Sequence, residues 1–413
     1  MKKFINNPLF SGSVVMVGGS LLVNVINYGY HLVMGRVMGP TDYGVLASIY
    51  SVLYMVSVVP ISTSVSIVKF ISSAESMEEK RVVYRELRKL IWRIAVIASV
   101  FMIIITPVLA KFLHIDDIFS VLLVAPILFM SLVTLVNQSA MQGLLKFMGM
   151  VGPNFVSAVI KFLVGFLLVM MGYSVGGAVM GVLVAVFLAY LLSERLAQDL
   201  KKNVKSAGRF ELDKFIKFSI PVLVQALAFT SFFTIDVILV KHYFSSFDTG
   251  LYAALSTLGK IIYFAAQPVA SVMFPVISGK KARGESFRHT FYMAFVLTFV
   301  ISLGVVLIYY LFADLAIGIL YGKHYLAVKA ELVWMGVFVS LLTLNYLVVN
   351  FLLSIGRVKV VILPFVASLA QFVGIVLWHK SILGVIQVSI VTSVLLMIFL
   401  FVYLGIMKYR LRK

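Results

Sequence analysis

Residues 151–195 read VGPNFVSAVIKFLVGFLLVMMGYSVGGAVMGVLVAVFLAYLLSER, and before Glu194 and Arg195 this stretch carries one charged side chain, Lys161. A helix crosses the ~30 Å hydrocarbon core of a bilayer with roughly 20 apolar residues. The stretch therefore holds two crossings, 151–171 and 175–195, separated by Gly172, Tyr173 and Ser174. Similar runs occupy 11–35, 43–69, 90–110, 120–144, 216–240, 250–278, 290–312, 328–354, 359–377 and 382–407. Hydrophobic residues make up 62% of the 413 and charged residues 12%, far from the balance of a soluble domain. Backbone groups in lipid must be satisfied within their own segment, and helices do this. The fold class expected is an all-α polytopic membrane protein with 12 transmembrane helices.

The basic residues orient these spans. With the N-terminus and every second gap on one side, 27 of the 35 lysines and arginines gather there. Arg81, Arg85, Arg88 and Lys89 share one such gap, and Lys201, Lys202, Lys205 and Arg209 another. The opposite side holds Arg36, Lys111, Lys241, Lys323, Lys329 and Lys380. The positive-inside rule then predicts a multi-pass protein of the cell (inner or plasma) membrane with both termini cytoplasmic. The net charge of +19 fits loops lying against an anionic leaflet. It is spread over short segments rather than gathered on one basic face, so no nucleic-acid partner is expected. The absence of cysteine excludes disulfides and thiolate chemistry. Lys2 and Lys3 precede a run too long for a signal peptide, which reads as an uncleaved first helix.

The two halves echo each other. Gly39-Pro40-Thr41-Asp42-Tyr43-Gly44 joins the first two spans, and Asp248-Thr249-Gly250 enters the eighth, with Asp42 and Asp248 206 residues apart. Pro60 and Pro268 repeat at an offset of 208, and Pro153 and Pro364 at 211. Six spans per repeat is an even number, so the halves are parallel and their axis runs along the membrane normal, around a central cavity. The expected organisation is an N-terminal six-helix bundle over 1–200, a cytoplasmic linker over 201–214 and a C-terminal bundle over 215–413. Thr41 or Asp42, and Asp248, are also good helix N-caps.

The segment at 35–47, Gly-Arg-Val-Met-Gly-Pro-Thr-Asp-Tyr-Gly-Val-Leu-Ala, resembles the first inter-helix turn of the polysaccharide exporters. These are the oligosaccharide (O-unit type) lipid flippases of the multidrug/oligosaccharidyl-lipid/polysaccharide exporter superfamily. Asp236 followed by Asp248-Thr-Gly-Leu-Tyr-Ala-Ala is similar to the matching turn of the second half. The resemblance implies a carrier that moves a polyprenyl-(di)phosphate-linked oligosaccharide from the cytoplasmic to the outer leaflet by alternating access. It implies membrane lipids as surroundings, a polysaccharide polymerase as a candidate partner, and no cofactor. A monomer suffices for the mechanism. The peptidoglycan-precursor branch has two further C-terminal helices and a cavity rich in arginine, whereas the deep cations here are lysines.

Ionisable residues within lipid are costly and face a protein interior or a wet cavity. Lys161, Asp236 and Lys260 are the deepest. Ser256, Lys260, Tyr263, Gln267 and Ser271 recur at helical spacing and form one polar stripe. Ser20, Asn24, Asn27 and His31 do the same on the first span, ending near Arg36 at the outer mouth. Asn154, Ser157 and Lys161 share a face, and Gln138 and Gln142 lie near the cytoplasmic end of the fourth span beside Thr134, Asn137 and Met141. Singly, the amides and hydroxyls serve equally well as helix–helix glue. Taken with the family's cavity, Lys260, Lys161, Asn24, Asn27, His31, Gln138, Gln142, Tyr263, Gln267 and Arg36 are the candidate substrate contacts. Asp236 and Asp42 are candidates for ion coupling or gating. Lysines suit a phosphate, and amides suit sugar hydroxyls.

No Gly-x-x-x-x-Gly-Lys-Ser/Thr loop is present, so ATP is not the expected drive. Outward movement of two negative charges across an inside-negative potential of about 100 mV releases roughly 4.6 kcal/mol. Proton or sodium exchange through Asp236 or His31 is the alternative. A multidrug or organic-cation exporter shares the architecture but favours carboxylates over lysines. A membrane enzyme acting on the same lipid needs a catalytic cluster, and the largest outer gap, about 313–327, offers only Asp314 and His324.

Overall fold

The structure is a computed structural model that describes residues 8–202 and 212–410. Most of the expected 201–214 linker lies outside the described residues. In chain order the α-helices are α1 (Pro8–Val56), α2 (Val58–Ser73), α3 (Met77–Phe112), α4 (Ile118–Leu122), α5 (Val124–Gly143), α6 (Phe147–Leu168) and α7 (Ser174–Leu196). They continue as α8 (Leu212–Tyr243), α9 (Ser246–Ala282), α10 (Arg288–Leu311), α11 (Ala313–Leu320), α12 (Lys329–Ser354), α13 (Ile362–Leu377) and α14 (Ile382–Arg410). The described residues contain no strand. Nine helical stretches among them are long and apolar enough to cross a membrane, and Phe147–Leu196 counts as one of the nine. That stretch breaks where Gly172 and Ser174 take φ of 93° and 40°. Its two parts fold back so closely that a Cβ on Gly181 would lie 2.5 Å from Gly165 Cα.

Helix α3 shows how these elements meet their surroundings. Its buried side chains, from Val83, Leu87 and Ile91 through Ala95, Ser99, Met102, Thr106 and Ala110, recur every three or four residues. The opposite face exposes Ile97, Phe101, Ile104 and Val108. From Ala95 onward the inward groups, Met102 apart, are small or weakly polar while large apolar groups face outward, the reverse of a soluble helix and the pattern a lipid surround favours. In the C-terminal part, Asn345 donates to Ser393 O (2.9 Å) and Gln371 to Ser389 Oγ (2.9 Å), amide contacts that join neighbouring helices.

The chain divides into two compact units, one running through Met38 and Val52–Leu223, the other comprising Gly39–Ser51 and the residues from Val224 onward. The boundary expected near residue 200 is therefore not the whole division, because the second half of α1 packs with the C-terminal helices. The switch occurs at Gly39, where φ 72° and ψ 175° interrupt α1 in a region open essentially to glycine alone. Within the second unit the two echoing turns meet. A Cβ on Gly44 would stand 2.2 Å from Ser246 O and 2.6 Å from Gly250 N, and one on Gly250 would stand 1.8 Å from Pro40 O. The glycines of the repeated motif are there because two backbones touch. The expected cap is corrected in the same place: Ser245, not Asp248, caps α9, its Oγ accepting from Asp248 N at 3.1 Å while it donates to Asp248 Oδ2 at 2.7 Å. No separate loop begins at Thr41 or Asp42, since helix resumes at Pro40 directly after the Gly39 break.

The first unit is tied at its basic end by a polar knot. Tyr84 of α3 donates to Asn137 Oδ1 (2.7 Å) on α5, and Asn137 donates to Ser193 Oγ (3.0 Å) and Glu194 Oε1 (2.8 Å) on α7. Glu194 also accepts from Arg88 Nη2 (2.9 and 3.1 Å) and from Lys201 Nζ. Nearby, the hydrogen bond from Lys202 holds the Asp199 carboxyl below the usual carboxylate range, helped by Lys146 at 3.8 Å.

Two stability effects follow. Gly250→Ala places a methyl against a backbone carbonyl and should cost about 1–3 kcal/mol, read as a lower Tm of the purified protein. Gly304→Ala, with nothing within 4 Å, should leave Tm nearly unchanged, and equal Tm values for the two variants would contradict the backbone contact. Glu194→Ala leaves Arg88 and Lys201 together without their shared carboxylate and should cost on the order of 1–3 kcal/mol. An unchanged Tm would mean that the knot is ornamental.

Candidate functional site

In the second unit the deep charges sit on α8 and α9. Asp236 is 1% exposed. Its Oδ2 accepts from the Tyr252 hydroxyl at 2.7 Å and its Oδ1 from Val237 N at 2.8 Å. A buried carboxylate without such donors would be very costly, so Tyr252 is its principal side-chain support. Lys260, two turns further along α9 than Tyr252, is half-buried. It makes no ion pair within 4 Å and no hydrogen bond to any described residue. Its ammonium instead lies 5.9 Å from the centre of the Phe233 ring, at the outer limit of a cation–π contact. Phe233 packs edge-to-face on Tyr263 (5.0 Å), Tyr263 on Tyr346 of α12 (5.4 Å), and Tyr346 on Phe229 (5.0 Å). Lys260 is thus an amine at the border of an aromatic wall. Gln267 continues that wall, lining a narrow crevice with Tyr263, Thr298, Thr343 and Tyr346.

In the first unit Lys161 of α6 is 8% exposed. It donates to Asn27 Oδ1 at 2.6 Å and stands 4.6 Å above the ring of Tyr30, both on α1. Tyr30 is fully buried, donates to Ala178 O at 3.4 Å and packs edge-on against His31 (5.6 Å). Lys161, Asn27 and His31, expected from the sequence as separate candidates, are therefore gathered around a tyrosine that sequence reasoning did not single out. Asn24 lies on the same helix and is exposed, as is Arg36.

Other candidates fall elsewhere. Gln138 donates to Asn154 Oδ1 at 2.9 Å, seven residues before Lys161 on α6, and Gln142 is half-buried one turn beyond Gln138. Asn137, its neighbour in sequence, belongs to the Glu194 knot. Asp42 is half-buried beside Tyr43, whose hydroxyl lies 3.2 Å from Thr257 Oγ1 and 3.3 Å from the Tyr321 hydroxyl. Lys241, read from the sequence as an outer-face residue, is buried and donates to Ser246 Oγ at 2.9 Å. Phe233, Tyr346, Tyr252 and Tyr30 were not among the expected residues. Phe233 lies one turn from Asp236, a spacing that could have flagged it, whereas Tyr346, Tyr252 and Tyr30 carry no such signal in the sequence. No cluster of three or more metal-ligating side chains occurs among the described residues.

Comparison with solved structures places this fold among membrane transporters. Lipid II flippase MurJ in an inward closed conformation aligns with a TM-score of 0.77 and 14% identity, over 95% of this chain and 87% of that one. A multidrug resistance MATE family transporter of the MOP superfamily, inward-facing, aligns at 0.74 and 14%, over 94% and 96%. A MOP superfamily transporter from Pyrococcus furiosus, described as having a binding pocket of reverse polarity, aligns at 0.61 and 14%, over 96% and 94%. At this identity the likeness establishes the fold. No curated protein sequence matches the chain. The model of a family described as polysaccharide biosynthesis protein matches residues 8–330, well over half of the sequence, and the chain belongs to that family.

Proposed function

We propose that this protein is a flippase that carries a polyprenyl-(di)phosphate-linked oligosaccharide from the cytoplasmic to the outer leaflet by alternating access. In this reading the chain has twelve spans in two parallel six-helix repeats, with both termini cytoplasmic. It works in cell-surface polysaccharide synthesis without itself being an enzyme. Family membership supports the pathway, and the MurJ fold supports a lipid-linked cargo. The observation that carries the reading is Lys260. It is a half-buried amine with no hydrogen-bonded or ion-paired partner among the described residues, and the nearby Asp236 is already held by Tyr252.

A lysine so placed offers a phosphate a point charge with free donors. Lys161 offers a second amine, whose present acceptor, the neutral Asn27 amide, is weaker than a phosphate oxygen. The aromatic wall of Phe233, Tyr263 and Tyr346 suits the faces of sugar rings. Asp236 and Asp42 are proposed to gate or couple the movement, and the remaining amides, with His31 and Arg36, to contact the glycan along its path. A polymerase on the outer face would be the natural recipient of the product.

The test is leaflet reversal of a fluorescent polyprenyl-diphosphate oligosaccharide in proteoliposomes. Wild-type protein should move it, and Lys260→Ala should slow it about tenfold to a hundredfold, the worth of one charge-assisted hydrogen bond. Lys260→Arg should retain more activity than Lys260→Ala. Movement of organic cations but not of the lipid-linked sugar, by folded wild-type protein, would favour the drug-exporter reading instead.

A further inference from the structure

Away from the deep lysines, the basic end of the first unit holds a cavity of about 510 Å³. Its walls include Arg85, Arg88, Lys89, Arg93 and Lys201, with Trp92 among them and no carboxylate among the described residues. The charges are not equivalent. Arg88 and Lys201 are bound to Glu194, and Lys89 reaches Glu86 at 2.9 Å. Arg85 and Arg93 have no carboxylate partner among the described residues. They lie eight residues apart on one helix, about 12 Å along its axis. Elsewhere at this end of the unit, Lys146 and Lys202 share Asp199, whereas the cavity gathers five basic side chains on its walls.

The cavity's height in the membrane is fixed by its own helix. One to three turns beyond Arg93, α3 presents Ile97, Phe101 and Ile104 outward, a surface suited to acyl chains. Trp92 is 51% exposed, with one edge seated against Phe129 (6.2 Å), and tryptophan is enriched at the level of lipid head groups. Arginines bind phosphate oxygens in pairs. We propose that this cavity binds the phosphodiester head group of an anionic phospholipid, with Arg85 and Arg93 on the phosphate, Trp92 at the glycerol level and the acyl chains along the outer face of α3. This does not depend on what the deep lysines carry.

The test uses the full chain in detergent, mixed with equimolar phosphatidylglycerol and phosphatidylcholine, and counts retained lipid by native mass spectrometry. Wild type should retain phosphatidylglycerol in preference, and Arg85→Gln with Arg93→Gln should weaken that retention about tenfold or more. Arg85→Lys with Arg93→Lys should keep most of it. If the double glutamine variant does not fold, each single variant should show a smaller loss in the same direction. Equal retention of the two lipids by wild type, or equal retention of phosphatidylglycerol by wild type and the glutamine variants, would overturn the proposal. So would capture of inorganic diphosphate without any preference between the two lipids, which would assign the cavity to soluble phosphates.

Discussion

A charged side chain far from water costs several kcal/mol unless the protein supplies partners or a wet surface, and this chain bears that cost at Lys161, Asp236 and Lys260. Each is stabilised differently. Lys161 has an amide oxygen and an aromatic face, Asp236 has a phenol and a backbone donor, and Lys260 has the Phe233 ring at 5.9 Å. The supports cost stability to assemble, because fully buried tyrosines must be fixed by their own hydrogen bonds. A carrier for an acidic lipid needs such positions, since an anion crossing the core must meet cations that are not already neutralised.

The same lack of water dictates the backbone. Where segments must be helical throughout, changes of direction are confined to a few residues, and the positive φ angles at Gly39 and Gly172 serve that purpose. The contact among Pro40, Gly44, Ser246 and Gly250 then joins the second half of α1 to the C-terminal helices without any side chain between the backbones. Turn motifs that look like capping signals are thus also packing motifs, and steric need accounts for their glycines better than cap preference does.

The apolar runs made the helices legible, because lipid imposes a simple length rule, and the breaks at 172–174 fell where glycine and a short polar residue interrupt the run. Helical spacing also singled out the deep charges and the polar face of the first helix, while the contact of Lys161 with Asn27 on that face is seen only in the structure. It could not find which residues of different helices meet. Asn137 and Gln138 are neighbours in sequence, yet one faces Tyr84 and Glu194 and the other Asn154. A one-residue step turns a helix by about 100°, so adjacent amides serve different networks. Position near a span end likewise says where the backbone of Lys241 lies but not that its side chain folds inward onto Ser246. The sequence repeat singles out Asp248, whereas the cap of α9 is Ser245, whose Oγ accepts from Asp248 N.

Phosphate recognition by the deep lysines can be measured by comparing, in the same proteoliposomes, one fluorescent oligosaccharide attached to a polyprenyl diphosphate and to an uncharged polyprenyl ether. If those lysines bind phosphate, wild-type protein should reverse the leaflet of the diphosphate lipid much faster than that of the ether. Lys260→Ala should then remove most of this preference. Equal rates for the two lipids with wild-type protein would contradict such recognition.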